Sequence, residues 1–141
     1  MTDKSNPTEL SRVGYERTGY THQGWLSDDQ RFFVFGDETD EKSYGFNTKT
    51  LVMNVESLTS PEIAGSYFGS TSAIDHNQYI KNDTIYQANY RAGLSVLKVN
   101  DYSSADFDEV GSFDVYRKYW KLSSLLLCPL MYQKLTLLLL S

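Results

Sequence analysis

The chain has 141 residues, 40% hydrophobic and 14% aromatic, which is enough apolar material for the core of one modest domain and argues against a disordered chain. A net charge of −5 and a pI near 4.9, with no run of Lys or Arg, argue against nucleic acid as a partner, because phosphate binding needs clustered cations to release counterions. Eleven Tyr and seven Phe against nine Gly and three Pro favour pleated surfaces, on which aromatic side chains pack across neighbouring strands, so an all-β class is expected.

The first nine residues, Met1 to Glu9, are polar and contain no apolar stretch of the kind a secretory signal carries. Tyr20 to Leu26 reads as a first strand and ends in the polar turn Ser27-Asp28-Asp29-Gln30. Arg31 to Phe35 is a second, strongly aromatic strand, followed by a loop from Asp37 to Asn47. Thr50 to Val55 is a third strand, closed by a Thr59-Ser60-Pro61 turn, and Glu62 to Phe68 is the fourth. A second set follows: Ala73 to Ile80, a turn at Asn82-Asp83, Thr84 to Asn89, a bend at Ala92-Gly93, Leu94 to Val99, and Glu109 to Val115.

The two sets are copies of one unit. Pro7 and Pro61 head similar segments 54 residues apart, and His22 and His76, in Thr21-His22-Gln23-Gly24-Trp25-Leu26 and Asp75-His76-Asn77-Gln78-Tyr79-Ile80, are again 54 apart. Val99 answers Val55 at an offset of 44 and Phe113 answers Tyr67 at 46, so the second copy has lost most of the long acidic loop, as repeat arrays tolerate. The expected architecture is a β-propeller-like repeat, about two four-stranded antiparallel blades of a larger propeller. Residues 1–18 are expected to end a preceding blade, 19–70 and 71–116 to be blade repeats, and 117–141 to be a non-native or hydrophobic tail. Each repeat buries its apolar face mainly against neighbours.

The tail from Leu122 to Ser141 is Leu-rich and aperiodic where a third histidine-bearing strand is due. Pro129, Gln133 and Lys134 interrupt it as a transmembrane helix, and a removable anchor signal would need a signal peptide as well. Sequence foreign to the fold, from a translated intron or frameshift, is the expected reading, with an amphipathic helix as the alternative; a membrane would be engaged through 122–141 or not at all. The single cysteine, Cys128, is expected to be a small buried hydrophobe.

The candidate polar site is His22, Asp37, Glu38, Asp75 and His76, since imidazoles with carboxylates form a reasonable ligand set for a divalent metal. The competing reading gives both histidines a structural role, hydrogen-bonded within the blade packing, and repetition favours it. The run Asp37-Glu38-Thr39-Asp40-Glu41 could offer oxygens to Ca²⁺ but lacks the glycine-punctuated spacing of a calcium loop, so a solvated loop is expected. Arg91 is placed to pair with Asp37 or Glu38, and Asn82-Asp83-Thr84 is a sequon at a hairpin turn, making Asn82 a candidate glycosylation site. Gly24, Trp25, Arg91 and Gly93 read as structural motif residues. No nucleophile elbow, phosphate loop, zinc-binding helix or nucleotide fingerprint is present.

Tyr20-Thr21-His22-Gln23-Gly24-Trp25-Leu26, Asp37-Glu38, Gly45-Phe46-Asn47-Thr48, Asp75-His76-Asn77 and Asn89-Tyr90-Arg91-Ala92-Gly93-Leu94 resemble the choice-of-anchor B family of LVIVP-repeat proteins over residues 1 to 116. The resemblance implies a β-propeller-like domain of secreted or cell-surface proteins several times longer than this chain, with no well-established activity. The expected function is a non-catalytic extracellular or cell-surface platform for a protein or glycan partner, without a cofactor. The alternative is a metal-dependent hydrolase or lyase using His22, His76 and the nearby carboxylates.

Overall fold

The structure, a computed structural model, describes residues 5–114; Cys128, the 122–141 segment and the end of the last expected strand at Val115 lie outside them. The fold is all-β. Strands β1 (Thr21–Leu26), β2 (Phe32–Asp37), β3 (Lys49–Asn54) and β4 (Glu62–Phe68) form one antiparallel sheet in sequential order. Strands β5 (Asn77–Lys81), β6 (Thr84–Ala88), β7 (Leu94–Asp101) and β8 (Asp106–Phe113) form a second of the same order.

Turn chemistry fixes the hairpins. Asn82 and Asp83 both hold φ 51°, the left-handed pair that a two-residue hairpin needs and that Asn and Asp tolerate best after glycine. Between β1 and β2 the Ser27 hydroxyl donates to Asp29 at 2.6 Å and accepts the Phe32 amide at 3.0 Å, closing the turn with side-chain oxygens. The bend at Ala92-Gly93 is a single 3-10 turn, Tyr90–Ala92, stopped by Gly93 at φ 78°.

Most strand limits fall within two residues of the sequence reading, and three differences are larger. The stretch 37–47 is not all loop: Asp37 ends β2, and Asp40–Tyr44 forms a short helix, α1, closed by left-handed Gly45. Strand β5 starts at Asn77 rather than Ala73, so His76 sits just before it, held by a hydrogen bond from its amide to the Ala88 carbonyl. Strand β8 starts at Asp106 rather than Glu109, because the Asp101 carboxylate captures the amide and hydroxyl of Ser103 and turns the chain early.

The sheets meet through the alternate residues of their facing sides. Phe32, Val34 and Val52 of the first sheet pack with Ile80, Ile85, Leu97, Val99 and Phe107 of the second. Fully burying one such side chain contributes about 1.5–3 kcal/mol, whereas exposed ion pairs such as Arg31–Glu56 are screened by solvent and add little; this layer therefore holds the sheets together. On the opposite side of the first sheet Phe35 is covered by Tyr15, edge-on at 5.5 Å, from the segment preceding β1.

The interface changes character along the strands. Toward the end where β2 leaves for α1 it turns polar: Gln87 donates to Thr50 across the sheets at 2.7 Å, and Gln78 and Asn89 lie buried beside it. The edge strands β1 and β5 are clasped as well. The Gln23 side-chain amide accepts from the Gln78 amide at 2.7 Å and donates to the Gln78 carbonyl at 2.9 Å, so one side chain satisfies an edge strand that would otherwise present unpaired backbone.

Candidate functional site

The polar end of the interface gathers the chemistry-bearing side chains. His22 lies on β1, Glu38 immediately follows β2, and His76 immediately precedes β5. Their potential ligand atoms all lie within 4.8 Å of one another, and His22 Nδ1 is 3.7 Å from Glu38 Oε2. The two imidazoles stack, centroids 4.8 Å apart and planes 19° apart, and the row is extended by Tyr20 on His22 at 5.7 Å and Tyr90 on His76 at 4.9 Å. The Tyr90 hydroxyl donates to Glu38 Oε1. Burial, and then the hydrogen bond to Glu38, raise the Tyr90 pKa, so it remains a donor. Burial holds the His76 imidazole below its ordinary range, with the charge of Glu38 pulling the other way.

Two other expected members are turned elsewhere. Asp37 accepts the backbone amides of Gly19 and Tyr20, which tether the incoming chain to the end of β2. Asp75 faces Gly36 of the first sheet, where glycine is required because an added Cβ would overlap the Asp75 carboxylate. The ion pair expected for Arg91 does not form among the described residues, because Glu38 is engaged by Tyr90 and His22, and Asp37 by the two amides. Asn82 is exposed on its hairpin, as a sequon requires. At Gly24 an added Cβ would come within 2.5 Å of the Phe33 ring, and Trp25 meets Tyr79 edge-on at 4.8 Å, so both act in packing.

The acidic run is not the solvated loop its composition suggests. Asp37 and Asp40 are 0% exposed and Glu41 6%, with Asp75 at 2% beside them. Chain from elsewhere does this: the segment through Gly19 covers Asp37 and Asp40, and the second sheet delivers Asp75, whose amide donates to Glu41 at 3.3 Å. Lys49, the one buried cation among the described residues, reaches Asp40 at 3.4 Å. Desolvation, reinforced by the neighbouring carboxylates, pushes the Asp75 pKa up to about 8 and that of Glu41 up to about 7, and raises that of Asp40. Asp75 is thus mostly protonated at neutral pH, and its unpartnered Oδ1 is tolerable because it carries no full charge.

Sequence reasoning missed Tyr90 as the partner of Glu38 and Lys49 as the counter-ion of the acidic run. It also missed the buried amides Gln78, Gln87 and Asn89. A signal existed for Gln87: it shares the inward face of β6 with Ile85, two residues away, and a polar residue at an inward position needs a partner.

Among the described residues no helix is long and apolar enough to cross a membrane. Comparison of the sequence with protein-family models and with curated proteins returns no match.

Proposed function

We propose that the chain is part of a β-propeller-like repeat protein of the choice-of-anchor B, LVIVP-repeat kind, serving as a non-catalytic binding platform outside the cell or at its surface. The observation that carries this reading is that like positions of the two copies meet each other. His22 stacks on His76, Trp25 packs on Tyr79, and the Asp28 carboxylate accepts the Asn82 amide at 2.9 Å, each pair 54 residues apart. Side-by-side inner strands with register preserved are what a radial array of blades requires, and each further copy would add the same contacts.

The recognition surface in this reading runs along β1, from Tyr20 beside the loop end, 56% exposed and continuing the ring stack outward, to Trp25 near the far end of the strand, 42% exposed. Exposed aromatics on a rigid frame give large contact area at little cost in side-chain entropy. The full chain, displayed on arrays of extracellular proteins and cell-surface glycans, should capture ligands that Tyr20→Ala and Trp25→Ala release at least tenfold more readily while strand circular dichroism is unchanged. Binding indifferent to both substitutions would sink this assignment of the surface.

A further inference from the structure

We propose that His22, Glu38 and His76 bind one divalent transition-metal ion, zinc being the best match, which clips the two sheets together at their loop end. This is independent of the platform reading, since it concerns a site formed wholly within the two sheets.

The donor set selects the metal. Two imidazoles and one carboxylate suit zinc, copper or nickel, whereas calcium and magnesium take oxygen shells that this trio cannot supply. The spacing is close to what zinc needs. Bonds of about 2.0–2.1 Å in a tetrahedral arrangement put ligand atoms roughly 3.4 Å apart. The His22–Glu38 edge, at 3.7 Å, is nearly there, and no edge exceeds 4.8 Å. Closing the longest edge requires turning the imidazoles out of their parallel stack, a rotation about χ2, which is a broad torsion.

The carboxylate is already oriented for the task. Tyr90 donates to Oε1 of Glu38, leaving Oε2 as the oxygen toward His22. A second partner that fixes a ligating carboxylate in this way is the usual companion of a metal site, and its loss typically weakens binding by about 10–100-fold. Access is open, because His22 is exposed. All three ligands stand at strand termini, His22 and Glu38 from the first sheet and His76 from the chain entering the second. One coordination position is left for water or an incoming ligand.

The test is metal titration of the tag-free full chain after chelator dialysis, with Zn²⁺ by calorimetry and Co²⁺ by visible absorption. Saturable uptake of one ion per chain is expected, abolished by His22→Gln and by His76→Gln, and weakened roughly 10–100-fold by Tyr90→Phe at unchanged stoichiometry. Glu62→Gln, on an exposed strand position away from the cluster, should bind as the wild type does. Because His76 is half-buried and its substitution could disturb packing, the wild-type Co²⁺ spectrum serves as a separate readout: intense tetrahedral d–d bands support the site. A spectrum of hydrated cobalt, no saturable uptake, or uptake surviving both histidine substitutions would overturn the proposal.

Discussion

Gly36→Ala is the sharpest perturbation of the way the sheets dock. Gly36 lies in β2 on the side facing the second sheet, and an added Cβ would collide with Asp75 Oδ2 and approach its Cγ to 2.9 Å. Asp75 is buried and its amide is tied to Glu41, so the carboxyl has no solvent to swing into and the sheets themselves must part. Overpacking of this kind costs about 1–3 kcal/mol, partly offset by the roughly 0.5–1 kcal/mol by which alanine is preferred to glycine inside a strand. A net loss of about 1 kcal/mol is expected, an appreciable fraction of the ~5–15 kcal/mol that holds a typical domain together. Gly111→Ala, in β8 with no atom within 4 Å of its added Cβ, should be neutral or slightly stabilising. In Gly36→Ala/Asp75→Ala the obstruction is gone, so a coupling energy of about 1–2 kcal/mol should appear in the double-mutant cycle. Urea unfolding followed by circular dichroism gives the midpoints of the wild type, Gly36→Ala, Asp75→Ala, the double variant and Gly111→Ala at common slope. Equal midpoints for Gly36→Ala and Gly111→Ala, or additivity within about 0.3 kcal/mol, would refute the docking geometry.

Three further outcomes follow from the buried polar end and the core. Glu41, whose folded pKa is raised to about 7 by burial and then by Asp40, holds a proton in the folded state that the unfolded chain releases near its ordinary value. Stability should therefore fall as pH rises from about 4.5 to 7, by at most ~1.4 kcal/mol per pH unit for this group; Glu41→Gln should flatten that slope in urea titrations, and parallel curves would contradict it. Lys49→Met strands Asp40 without its cation, costing up to about 3–5 kcal/mol, with a smaller loss at pH 5 than at pH 8, because burial already favours protonation of Asp40; a pH-independent loss would argue against the pair. Leu97→Ala, at a fully buried position, should cost about 2–5 kcal/mol by thermal or urea unfolding, whereas Val110→Ala, 61% exposed, should change little, and equal effects would place the core elsewhere.

Strand content and pairing were legible because they follow from local pattern. The short aromatic and β-branched runs Phe32-Phe33-Val34-Phe35 and Thr84-Ile85-Tyr86-Gln87, bounded by turn residues such as Asn82-Asp83 and Ala92-Gly93, are the composition and length of strands joined by tight turns. The 54-residue offset placed His22 over His76 for the same reason, since two copies with one register bring like positions together. Burial of Asp37, Asp40 and Glu41 was not legible, because nothing within that run announces it; the cover comes from Gly19 upstream and Asp75 downstream. Lys49 lies eight residues beyond the last of these acids, and only the return of the chain through α1 into β3 brings it back to Asp40. Tyr90 reaches Glu38 across 52 residues, a contact that no spacing rule within one strand contains.

The passage from an apolar to a polar interface along the same strands gives the paired sheets a grain. Amides near Val34, Val52, Ile85 and Leu97 can meet solvent only when the whole unit comes apart, whereas at the loop end the unpartnered oxygens of Asp40, Glu41, Asp75 and Asn89 are better satisfied once water enters. Breathing should thus start where the histidines stand and stop at the phenylalanines. The pair resembles a clothes-peg, free to part at one end and firmly joined at the other, so amide exchange should be quicker at the loop end than in the apolar frame.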